Sequence, residues 1–135
     1  MRFRAFLQTI AKSAQQAMPP SLHVFSGKFG SQEEARRYTE AQWQDGSEEP
    51  TWRIRQDLPV TYLSPDFIET IFGDEKTDYL ESQLAKDSDK GSLRADISDD
   101  ADTLVLIMSP AFDGKKVRLS STPRLRYHGE YTWKL

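Results

Sequence analysis

The sequence predicts one α+β domain with a largely antiparallel sheet, helices packed on one face, and an amphipathic helix at the N-terminus. Three observations carry this prediction. Residues 23–43, HVFSGKFGSQEEARRYTEAQW, read as an aromatic-rich strand, a glycine turn and a capped helix. The run TLVLIM at Thr103–Met108 is the most apolar in the chain and has strand length. Expected helices crowd the middle of the chain and expected strands its end, which is the α+β pattern rather than an alternating one. Residues 1–20 read as the N-terminal helix and residues 21–135 as the domain itself.

Taken in order, residues 2–18 place Phe3, Phe6, Leu7, Ile10, Ala14, Ala17 and Met18 on one helical face, and Pro19-Pro20 ends that helix. Residues 23–29 form the first strand. Gly30 breaks it, and Ser31 with Glu34 makes a capping box in which the Ser31 side chain accepts from the Glu34 N–H and the Glu34 carboxylate reaches back to the Ser31 N–H. Residues 44–50 are a turn-rich loop. Trp52 and Ile54 alternate with charges, so residues 51–55 read as a short strand, and Pro59 makes the next piece an edge or an extended linker. Ser64-Pro65-Asp66 signals a helix start, Phe67, Ile68, Ile71 and Phe72 supply its apolar face, and Gly73 closes it. A further helix is expected over 77–86, then a loop over 87–102. After the Thr103–Met108 strand, Asp113-Gly114 signals a hairpin leading into residues 117–119. A second hairpin is expected around His128-Gly129-Glu130.

Composition narrows the function. The 135 residues hold no cysteine, which excludes disulfides, thiolate metal sites and a cysteine nucleophile and fits a cytoplasmic location. No run approaches the roughly 20 apolar residues that cross a bilayer. Gln8 and Lys12 interrupt the first apolar stretch, so no secretory signal is expected. Charge is uneven: residues 1–44 carry six basic and three acidic side chains, residues 45–102 six and sixteen, and residues 103–135 six and two. An acidic block between mildly basic ends disfavours nucleic acid and suits a basic protein partner, unless its carboxylates only solvate loops.

Local chemistry is sparse. His23 and His128 are the only histidines; one begins a strand and the other sits in a turn, and nothing local suggests that they converge on a carboxylate or serine. Asp99-Asp100-Ala101-Asp102 lacks the spaced ligands of a calcium loop. Asp66 and Glu69 stand three apart, but no second element presents a glycosidase-like partner. The Gly27–Ser31 turn lacks the phosphate-loop pattern, and Glu33 and Glu34 would repel an anion there. No catalytic residue, metal ligand or cofactor is expected. The N-terminal helix packs on its own sheet, forms a homodimer contact or lies on a membrane surface, the last disfavoured because only three basic residues line it.

The residues Gly27, Phe29, Ser31, Glu34 and Tyr38, with Asp57 and Tyr62-Leu63-Ser64-Pro65-Asp66-Phe67-Ile68-Glu69, the strand Thr103–Met108 and Leu125-Arg126-Tyr127-His128-Gly129-Glu130-Tyr131, resemble the immunity protein 22 family of bacterial polymorphic toxin systems. The resemblance covers roughly residues 22–133. It is carried by structural positions, Gly27, Phe29, Ser31, Glu34, Tyr38, Asp66 and Phe67 among them. It implies a binder and not an enzyme, one that covers a cognate protein toxin. Against a basic toxin, Asp45, Glu48, Glu49, Asp74, Glu75 and Asp78 are the contact candidates, with Trp43 or Trp52 as aromatic anchor unless these rings pack in the core. A protein-interaction domain with another partner, or a small enzyme, are the alternatives.

Overall fold

A computed structural model describes residues 20–134 of the chain. The amphipathic helix expected over residues 2–18 lies outside the described residues. Strands β1 (Ser21–Gly27), β2 (Ile68–Phe72), β3 (Thr103–Met108) and β4 (Arg126–Thr132) form one antiparallel sheet in the order β2-β3-β1-β4. Helices α1 (Gln32–Thr39), α2 (Arg53–Asp57), α3 (Lys76–Gln83) and α4 (Asp87–Asp96) surround it. This is the α+β architecture with an antiparallel sheet that the sequence predicts. Among the described residues no helix is long and apolar enough to cross a membrane.

The helices cover both faces of the sheet, not one. Neighbouring residues of a strand point to opposite faces, so Glu69 and Thr70 mark the two sides of β2. Tyr79 of α3 donates to Glu69, while the Thr70 hydroxyl donates to Thr39 of α1 at 2.7 Å. All six residues of β3 are accordingly buried, and TLVLIM is apolar without alternation because neither face meets water. Leu22, Val24, Leu104 and Leu106 lie on the α3–α4 side; Phe25, Val105 and Ile107 lie on the other.

Several local expectations fail, each for a physical reason. Residues 53–57 form helix α2 in place of a strand; Ile54 is the one fully buried side chain it offers, so alternation was carried by too few residues. The Ser64-Pro65-Asp66 start yields only a 3-10 turn (Pro65–Phe67), after which residues 68–72 run as β2. Ile, Thr and Ile in IETIF favour a strand, and pairing with β3 overrides the helical spacing. Gly73, at φ +102, serves the turn after β2 instead of capping a helix. The loop expected at 87–102 contains α4, which buries Leu93 alone and so shows no apolar stripe. Finally, residues 126–132 are one strand and not a hairpin: Gly129, at φ +113, sits where the register with β1 shifts between Val24 and Phe25. Asp113 and Gly114 do turn, at φ 55 and 72, but they follow a 3-10 turn (Ser109–Phe112) and lead into irregular chain.

Candidate functional site

Most of the residues that carry the resemblance hold the scaffold; Asp66 does not. Ser31 caps α1 by accepting the Glu34 N–H at 3.1 Å, while the Glu34 carboxylate accepts from Arg37. The Phe29 and Gly30 amides donate to Asp102, just before β3. Burial raises the Asp102 pKa, but these two donors and the Thr103 hydroxyl outweigh it and leave the carboxyl below its usual range. The Tyr38 hydroxyl donates to Asp57 at 2.6 Å and sits 2.8 Å from the Thr122 hydroxyl, so one phenol ties α1 to α2 and to the chain before β4. Burial, then the Asp57 carboxylate, push that phenol far above its ordinary value. Gly27 meets Arg124 so closely that a Cβ would stand 2.8 Å from its carbonyl oxygen. Phe67 is buried and Asp66 exposed, with no side-chain cap on the 3-10 turn.

The acidic contact candidates are all exposed. Asp45, Glu48 and Glu49 lie on a loop closed by two backbone bonds, Gln42 N–H to the Thr51 oxygen at 2.7 Å and Thr51 N–H to the Gln42 oxygen at 2.8 Å. Trp43 is the first residue inside that closure and is 67% exposed. Trp52, just outside it, is half-buried against the core and donates its indole N–H to the Thr39 carbonyl at 2.7 Å. The two tryptophans therefore divide: Trp52 anchors the loop's base and Trp43 is presented to solvent. Asp74, Glu75 and Asp78 surround the start of α3. Glu75 shares a cleft of about 550 Å³ with Glu40 and Ala41, which brings the α3 start to the chain segment entering the Trp43 loop.

Both histidines find partners that their neighbours in sequence do not reveal. His23 is 3% exposed, packs edge-on to Phe112 at 5.4 Å and has Nδ1 2.8 Å from the Tyr127 hydroxyl. Burial lowers its pKa, against the pull of Glu130. Tyr127 is pushed up to about 12, by burial and then by Glu130. His128 lies within β4, not in a turn, and its side chain is fully buried. Its Nε2 is 2.7 Å from the Ser26 hydroxyl and its Nδ1 is 2.6 Å from Asp96 Oδ2. Ser26 and Asp96 carry no sequence signal for this role. They lie 102 and 32 residues from His128, and only the β1–β4 register with its bulge brings the three together.

Compared with protein-family models, with curated proteins and with solved structures, the chain matches none.

Proposed function

We propose that this protein is an immunity-type binder that neutralises a cognate, basic bacterial toxin in the cytoplasm through the loop that bears Trp43. The observation that carries the reading is the exposure of Trp43 on a closed loop with Asp45, Glu48 and Glu49 around it. A large aromatic left in water by a chain that buries Trp133 and half-buries Trp52 is the residue type that dominates protein interfaces. Carboxylates around such an anchor speed encounter with a basic partner and fix its register. Glu75, Asp74 and Asp78 extend the acidic surface beyond the loop. The resemblance to the immunity protein 22 family supplies the toxin as partner. Binding needs no catalytic step, no cofactor, no nucleic acid and no membrane.

Co-expression with the toxin encoded beside this gene tests the proposal. Growth is restored by the wild-type chain and not by Trp43→Ala. Failure of the wild-type chain to protect removes the toxin as partner, and an isolated gene would favour an interaction domain with a different protein. Pairing of two copies through residues 2–18 belongs to the same proposal, and sedimentation of the full chain decides it.

A further inference from the structure

Ser26, His128 and Asp96 come from three elements and form one unbroken chain of side chains. Asp96, a hydrogen-bonded carboxylate, can only accept when ionised, so the His128 Nδ1–H donates to it at 2.6 Å. In the neutral ring this leaves Nε2 as acceptor for the Ser26 hydroxyl at 2.7 Å. Each distance lies within hydrogen-bond reach of a nucleophile, its base and the group that orients the base.

Asp96 is an unusual residue for its position. It ends α4, where the helix dipole disfavours a carboxylate. Arg126 offsets that cost by donating Nη2–H to Oδ1 at 2.8 Å and Nη1–H to the Asp96 carbonyl oxygen at 3.1 Å, which leaves Oδ2 for His128. The bulge in β4 turns His128 onto the same side of the sheet as Ser26, the re-aiming that bulges provide near functional groups.

Ser26 is 5% exposed, and it lines an open cleft of about 460 Å³. Lys28, Arg124 and Arg126 also line it, against a single acid, Asp100. The Arg124 guanidinium stacks over Phe29 at 4.5 Å, which restrains it. Lys28 is exposed and makes no ion pair among the described residues. The cleft shares no lining residue with the Trp43 loop or with the Glu75 cleft.

We propose that Ser26 is a nucleophile for acyl transfer, with His128 as its general base and Asp96 orienting the imidazole, acting on esters whose acyl part carries a negative charge. The Ser26 oxygen bonds to the ester carbonyl carbon as its proton passes to His128 Nε2. The carbon–oxygen bond to the alcohol then breaks, and the departing alcohol takes that proton. A water repeats the sequence, its proton going first to His128 and then back to the Ser26 oxygen as the free acid leaves. Lys28 and Arg124 provide the positive charge that holds the anionic acyl group and favours the developing oxyanion.

The full chain is incubated with a fluorophosphonate probe, whose phosphorus bonds to the serine oxygen as fluoride leaves, and the adduct is mapped by peptide mass spectrometry. The expected adduct is on Ser26, and it is lost in Ser26→Ala. Asp96→Asn keeps a hydrogen-bonding group but disturbs the tautomer, and it slows labelling by about 100-fold or more. The wild-type chain also cleaves p-nitrophenyl hydrogen succinate about tenfold faster than neutral p-nitrophenyl butyrate, about 1.4 kcal/mol of discrimination from the cations. An unlabelled chain, an adduct on Lys28 or a tyrosine in place of Ser26, or labelling indifferent to Asp96→Asn overturns the nucleophile. Equal rates on the two esters overturn the anionic substrate class. The wild-type adduct decides the main point even if a variant fails to fold.

Discussion

The Asp102 carboxylate accepts the backbone N–H of Phe29 at 2.9 Å, joining the residue before β3 to the turn after β1 across 73 positions of chain. Its other oxygen accepts from Gly30 at 2.8 Å, and Asp102 N–H donates to the Gly27 carbonyl. The strand-to-helix turn thus takes its shape from a distant acid as well as from its own glycine.

Asp102→Ala leaves the Phe29 and Gly30 amides without their acceptor. The expected loss is about 1–3 kcal/mol, read as a lower urea midpoint at unchanged slope. Asp102 and Asp96 both have folded pKa values below 3.8, so the unfolded chain takes up their protons at higher pH than the folded one. Their contribution is complete above pH 3.8 and is lost as pH falls through the folded values, so acid unfolding of Asp102→Ala is shallower than that of the wild type.

His23 sets a second, milder pH dependence. Its folded pKa lies below 6.5, so protonation favours the unfolded chain. Stability is full above pH 6.5 and declines as pH falls below it. Urea midpoints at pH 7.5 and 5.5 differ in this direction for the wild type, and the difference shrinks in His23→Phe.

Two glycines respond oppositely to alanine. At Gly27 a Cβ meets the Arg124 carbonyl oxygen at 2.8 Å and the Phe29 ring at 2.9 Å, and the cost is about 1–3 kcal/mol. At Gly91, inside α4, a Cβ meets nothing within 4 Å, and the lost backbone freedom of the unfolded chain stabilises by about 0.5–1 kcal/mol. Thermal melts of the two variants test the pair.

The two tryptophans separate stability from binding. Trp52→Ala loses a half-buried ring and its bond to the Thr39 carbonyl, at a cost of about 2–4 kcal/mol. Trp43→Ala changes stability by less than about 0.5 kcal/mol, because the ring is exposed.

The legible parts of the fold were those in which local signals and tertiary pairing agree. Ser31 caps α1 as its spacing implies, and TLVLIM is a central strand because an unbroken apolar run needs two covered faces. The illegible parts depend on distant partners. IETIF has helical spacing and strand composition, and pairing with Leu104 and Leu106 decides for the strand. Gly129 looks like a turn residue until β1 is laid beside it. For the same reason the acids and Trp43 of the surface loop could be named from sequence, whereas the meeting of Ser26, His128 and Asp96 could not.

The most direct test of the proposed binding surface is calorimetric titration of any toxin encoded beside this gene into the wild-type chain and into Trp43→Ala. Salt-sensitive binding by the wild type is expected, with an affinity about 30-fold lower in Trp43→Ala, which corresponds to about 2 kcal/mol at an interface anchor, and with the two proteins melting alike. Equal affinities for the two chains, or no heat of binding from the wild type, would contradict it.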